Sequence, residues 1–232
     1  MNLFSKSKRG KHVAADIRTP PGRARAEREL VLGDHGFLRE GFQNLHPISD
    51  EMWRSNQPNP RQVREHARKR GIVTIINLRG PSTRGYYLLE KEACEQAGIS
   101  LVDLQVFSRD TPRVETVRAA KALFDEIAYP ALMHCKSGAD RAGIMSALYM
   151  IFRQGQPVEI AKRQLSKRFL HMREGKTGLL DAFFDSYLDH ARTHDTDFET
   201  WLETAYNREQ VKQDFLSSGG AKWHIDQILR RE

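Results

Sequence analysis

The residues His134-Cys135-Lys136-Ser137-Gly138-Ala139-Asp140-Arg141-Ala142-Gly143 put a thiol, a run of loop amides and a guanidinium within ten positions. The apolar run Ala131-Leu132-Met133 precedes them, and Ile144, Leu148 and Ile151 follow at helical spacing, which predicts strand, tight loop and helix in that order. Gly138 lets the chain turn through positive φ without a Cβ penalty. About six backbone N–H groups and the positive end of the helix dipole then converge on one point, a cradle suited to a phosphate-sized anion. The same field, with Lys136, His134 and Arg141 nearby, favours the thiolate of Cys135 and makes it a nucleophile. Arg141 can fold back and grip two phosphate oxygens. Cys135 and Arg141 are therefore the expected catalytic pair, with Lys136, Ser137, Gly138, Ala139 and Asp140 as the substrate-binding loop. The competing reading is a buried cysteine that only fills space.

This His-Cys-x5-Arg segment resembles the signature loop of the cysteine-dependent protein tyrosine phosphatase superfamily. Trp53-Arg54-Ser55-Asn56-Gln57-Pro58, followed by Gly71-Ile72-Val73-Thr74-Ile75-Ile76-Asn77-Leu78-Arg79, is similar to the opening of compact atypical dual-specificity phosphatases of plants, fungi and bacteria. The resemblance spans about residues 40–155. It implies hydrolysis of phosphate monoesters through a phosphocysteine intermediate, on a phosphoprotein or a phosphorylated lipid or inositol. A Ser or Thr usually follows the loop arginine, but here the residue is Ala142. That departure motivates a second reading, a pseudophosphatase that binds phosphorylated ligands. A lipid phosphatase at a membrane surface, of lipid A type included, is another. A rhodanese-like sulfur transferase also cradles an anion beside a cysteine, but the five-residue spacing before Arg fits phosphate better.

The leaving group needs a proton, and the family supplies it from an Asp on a loop upstream of the Cys strand. Asp110, in Ser108-Arg109-Asp110-Thr111-Pro112, is the expected acid; Asp103 lies within a strand and is worse placed. Asp140 resembles the loop Asp of the myotubularin lipid phosphatases and is a third candidate. Asp110 could instead cap the following helix, and Asp140 could pair with Arg141 or with the helix dipole.

The expected fold is α/β, a mostly parallel sheet covered by helices on both faces. Helices are expected over 61–70, 87–97, 114–127, 157–170 and 179–191, and strands over 72–78 and 99–106. Arg79 and Arg84 follow the first of these strands, at the carboxyl end where ligands collect. Residues 1–27 read as a basic, disordered arm, 28–195 as the catalytic domain and 196–232 as a C-terminal helical extension. The first 28 residues hold +6 of the net +7 charge. The arm is a solvated tail or a contact for anionic lipid headgroups, and nucleic acid is not an expected partner. Two cysteines, Cys94 and Cys135, suit a reducing compartment. Cys94 reads as a core filler, with a resolving partner for oxidised Cys135 as the alternative. No metal or other cofactor is expected. No secretory or membrane-spanning segment is read, so the expected location is cytoplasmic, including the inner face of the membrane.

Overall fold

The computed structural model describes residues 16–218. The helices are α1 (Pro20–Arg28), α2 (Phe37–Gly41), α3 (Pro60–Arg70), α4 (Gly85–Ala97), α5 (Val114–Glu126), α6 (Asp140–Phe152), α7 (Val158–Ala161), α8 (Leu179–Ala191), α9 (Phe198–Thr204) and α10 (Arg208–Ser217). The strands β1 (His46–Pro47), β2 (Met52–Ser55), β3 (Thr74–Asn77), β4 (Ser100–Asp103) and β5 (Ala131–His134) form one sheet in the order β1-β2-β5-β3-β4. Only the β1–β2 pairing is antiparallel. The Cys strand β5 lies at the centre, in register with β2 on one side and β3 on the other, so that Ser55, His134 and Asn77 end the three strands side by side. Ligand sites of open α/β sheets form at this carboxyl edge.

Alternation along the strands divides the core. Ile75 and Leu132 pack with Val63 of α3 and with Ala93 and Cys94 of α4. Their neighbours Ile76 and Met133 turn to the opposite face, against Phe124 of α5, Ile144 and Leu148 of α6, and Phe183 of α8. Both faces are thus covered, as a parallel sheet requires. The start of α3 is set by its sequence: Gln62 N donates to Asn59 Oδ1, Asn59 N donates to Gln62 Oε1, and Pro60 fits the first turn.

Several expectations need correction. The helix α1 occupies part of the segment expected to be a disordered arm, and it packs so closely on α4 that a Cβ on Gly85 would meet Ala26 O at 2.4 Å. The first half of that arm and the expected final segment around Trp223 lie outside the described residues. The helix expected over 157–170 stops at Ala161 and continues as two 3-10 turns, Lys162–Gln164 and Lys167–Phe169. The cause is close packing on α6: a Cβ on Gly143 would meet Leu165 Cδ2 at 2.8 Å and Gln164 O at 3.0 Å. Residues Met52–Ser55, outside the strands expected from the sequence, form an inner strand. The C-terminal helical extension read from residue 196 on packs onto the domain, where Phe198, Trp201 and Leu202 join the main core cluster. Trp201 packs on Phe183, Tyr187 and Tyr206 at ring distances of 5.6, 5.5 and 5.0 Å. Its truncation to Ala is expected to cost on the order of 3–5 kcal/mol, a large part of a domain's whole stability.

Candidate active site

Cys135 is buried at the end of β5, and the loop after it leads into α6 at Asp140. Each carbonyl from Lys136 to Ala139 accepts a hydrogen bond from outside the loop. Gln57 N donates to Lys136 O at 3.3 Å and Asn44 Nδ2 to Ser137 O at 3.0 Å. Arg54 Nη2 donates to Gly138 O at 2.7 Å and to Ala139 O at 2.9 Å. In a planar trans peptide the N–H points opposite to the C=O. Anchoring four successive carbonyls in this scaffold therefore turns the following amides, 137–140, away from it. Gly138 has φ +72°, and a Cβ there would lie 2.7 Å from Asn56 N, so conformation and space both require glycine.

Arg54 is fully buried. Its Nη1 donates to Gln164 O and Gln164 Oε1 at 2.8 and 2.9 Å, and its guanidinium lies 4.3 Å from the centre of the Phe169 ring. Burial pulls Arg54 down to about 10, while the charges of Cys135 and Asp140 work to keep it protonated. His134 is also buried, with Nε2 2.8 Å from Glu90 Oε1 but off the line of a hydrogen bond. Glu90 Oε2 accepts from Gln57 Nε2 at 2.7 Å, which links α4 to the scaffold under the loop.

Lys136 and Arg141 open onto a cleft of about 420 Å³ shared with Arg79, Arg84, Tyr86, Glu29 and Asp34. The structure thus brings Arg79 and Arg84 to the signature loop, as their place after β3 suggests. Their charges are partly matched by the segment before β1. Arg79 makes a bidentate pair with Asp34 at 2.8 and 2.9 Å, and Arg39 holds the same carboxylate at 2.8 Å. Burial opposes the charge on Asp34, but Arg79, Arg39 and Lys136 outweigh it and hold the carboxyl below its usual range. Arg84 pairs with Glu29 at 2.7 Å.

The candidate acids separate. Asp110 does not line this cleft; it lines a second one of about 160 Å³ with Val106, Ile144, Met145 and Leu148. Its Oδ2 accepts from Arg208 Nη2, and its Oδ1 lies 3.2 Å from Lys212 Nζ, both on α10. It is not the cap of α5, a place held by Arg113. Asp103 accepts from Asn77 Nδ2 at 2.7 Å and Tyr87 OH at 2.6 Å, a strand-end bracing role. Asp140 Oδ1 lies 2.7 Å from His171 Nδ1.

Ala142 is buried, and its carbonyl accepts from Ser146 Oγ at 2.6 Å. Cys94 sits in the core cluster on the opposite face of the sheet from α6, where burial pushes its thiol up and keeps it protonated. That placement agrees with a core filler. Among the described residues, no group of three or more His, Cys, Asp or Glu could hold a metal.

Sequence reasoning missed the roles of Arg54, Asn44, Gln164 and His171. An arginine inside the apolar strand segment Met52–Ser55 is the one local signal that could have pointed to a buried guanidinium.

The family model described as a DSP-PTPase phosphatase fused to NAD+ kinase matches residues 43–181, extending past residue 155, where the sequence resemblance ends. No curated protein matches the chain. Among solved structures, Pseudomonas aeruginosa TpbA is similar in fold, with a TM-score of 0.50 and 23% identity, covering 62% of this chain and 84% of TpbA. Tk-PTP in its active form also has a TM-score of 0.50, at 16% identity, covering 62% of this chain and 98% of its own. With the match spanning more than half its length, and a cysteine loop at the carboxyl edge of a mostly parallel sheet, the chain belongs to the DSP-PTPase phosphatase family.

Proposed function

We propose that the protein hydrolyses phosphate monoesters through a phosphocysteine on Cys135. The observation that carries this reading is the loop of four anchored carbonyls, which presents the amides of 137–140 as fixed donors beside a thiol. Such preorganised donors need no rearrangement as charge moves onto the phosphoryl oxygens. The thiolate Sγ attacks phosphorus, the bond to the leaving oxygen breaks, and that oxygen takes a proton from Asp110. Water then attacks the S–P bond, gives its proton to the Asp110 carboxylate, and frees inorganic phosphate and the thiolate. Arg141 clamps two phosphoryl oxygens in both steps. Asp110 reaches this role when its contacts with Arg208 and Lys212 open.

The substrate is a phosphoprotein or a phosphorylated lipid or inositol. Arg79, Arg84 and Lys136 in the cleft support a ligand with more than one anionic group. The site of action we assign to the cytoplasm, including the inner membrane face; no helix among the described residues is long and apolar enough to cross a membrane. A binding-only module is the second reading, because Ala142 offers no side-chain hydroxyl to assist release of the thiolate.

Steady-state hydrolysis of an aryl phosphate tests the proposal. Wild type is expected to turn over, and Cys135→Ser to lose all turnover while inorganic phosphate still binds. Phosphate binding without turnover in wild type would favour the module, and more than a few per cent activity in Cys135→Ser would remove the covalent step.

A further inference from the structure

His171 follows Leu170, whose backbone takes the left-handed conformation at φ +64°. The side chain of His171 is 1% exposed and bridges two carboxylates. Its Nδ1 is 2.7 Å from Asp140 Oδ1, and its Nε2 is 2.7 Å from Asp181 Oδ2 on α8. A neutral imidazole has one N–H and one acceptor nitrogen, whereas the imidazolium has two donors. A carboxylate oxygen at each ring nitrogen therefore favours the cation, which can donate to both. Asp140 is the first residue of α6, directly before Arg141.

We propose that His171 is a positioning residue of this site, a buried cation that ties Asp140 to α8 and so fixes the first turn of α6 with Arg141. The assignment rests on the phosphatase reading above. It also gives Asp140 a role: its carboxylate is a tether turned to His171, which leaves proton donation to Asp110 in the mechanism proposed above. The imidazolium further offsets a negative charge that would otherwise stand beside the anion cradle.

The charges facing His171 are Asp140 from α6 and Asp181 from α8; Arg54 from β2 acts on Asp140 from the side of the loop. Burial works against the ring's charge, but the two carboxylates outweigh it and lift His171 to about 9. The tether is thus complete at neutral pH. It loses its second donor as pH rises past that value.

The test measures inorganic phosphate as a competitive inhibitor, and kcat/KM for an aryl phosphate, against pH in wild type, His171→Gln and Asp181→Asn. Wild type should show a falling limb near pH 9. His171→Gln should bind phosphate about ten- to hundredfold more weakly at neutral pH, the cost of slight misplacement, and lack that limb. Asp181→Asn removes one of the two carboxylates, so its limb should move to lower pH, a shift that loss of packing alone does not produce. Folded His171→Gln with wild-type affinity and pH profile would overturn the assignment. If His171→Gln fails to fold, an unmoved limb in Asp181→Asn overturns it. Wild type that neither binds phosphate nor turns over would overturn the phosphatase reading first, and this assignment with it.

Discussion

The loop carrying Cys135 and the loop carrying Asp110 are fastened in opposite ways. The first is held from beneath by buried groups on β2, on the segment before β1 and on the turns after α7, through Arg54, Asn44 and the crossing at Gln164. The second is held from the side by a partly exposed pair of cations on α10, together with Arg208 Nε and Tyr206 OH donating to the carbonyls of Thr111 and Pro112. Buried donors that satisfy several acceptors at once are costly to withdraw. Half-exposed ion pairs are worth little and exchange readily with water and salt. The molecule thus combines a cradle held by buried donors with an Asp110 loop held in large part by partly exposed ion pairs.

The sharpest way to break this contrast is Arg54→Met. Three backbone carbonyls lose a buried donor, at about 1–3 kcal/mol each, so chemical denaturation should show a loss on the order of 4 kcal/mol. Turnover by the folded fraction should fall by about 10²–10³-fold or more, the usual cost of losing preorganised donors. Near-normal kcat would mean that the loop holds its shape unaided.

Asp110→Asn should act on chemistry alone. An alkyl phosphate should be hydrolysed about 10²–10⁴-fold more slowly, while an activated aryl phosphate is nearly spared. Equal losses on both substrates would remove Asp110 from the acid role.

The smallest effect belongs to the latch. The double variant Arg208→Gln with Lys212→Gln should leave stability within about 1 kcal/mol of wild type. Stopped-flow or steady-state rates on a poor leaving group should rise a few-fold if opening of the loop limits the reaction, and should lose their dependence on salt. A rate that falls as far as in Asp110→Asn would show that α10 places the acid rather than restraining it.

The chemistry-bearing loop was legible because its signals are local: nucleophile, glycine and arginine lie within seven residues, and apolar periodicity on either side declares strand and helix. The strands β3, β4 and β5 and the helices α3, α4, α5 and α8 followed from the same patterning, whereas the inner strand β2 did not. What stayed hidden was long-range. Arg54 lies 84 positions from Gly138, and His171 lies 31 from Asp140; no periodicity links such pairs. The failed helix over 157–170 has the same origin, since its breakage answers to Gly143 and Arg54, not to its own propensities. The expectation that Asp110 faces the cradle was blind to α10 for the same reason.

Asp34 and Glu29 hold the cations of the main cleft, yet both stand before residue 43, where the family match begins. The electrical character of the entrance is therefore written in a part of the chain that the family pattern does not prescribe. Two proteins sharing the same cysteine loop can differ there by two whole charges. Replacing or shortening this segment would convert a vestibule in which Asp34 and Glu29 offset part of the charge of Arg79, Arg84, Lys136 and Arg141 into a more strongly electropositive one, and so re-tune which anions are drawn in without altering a single atom of the loop that reacts with them.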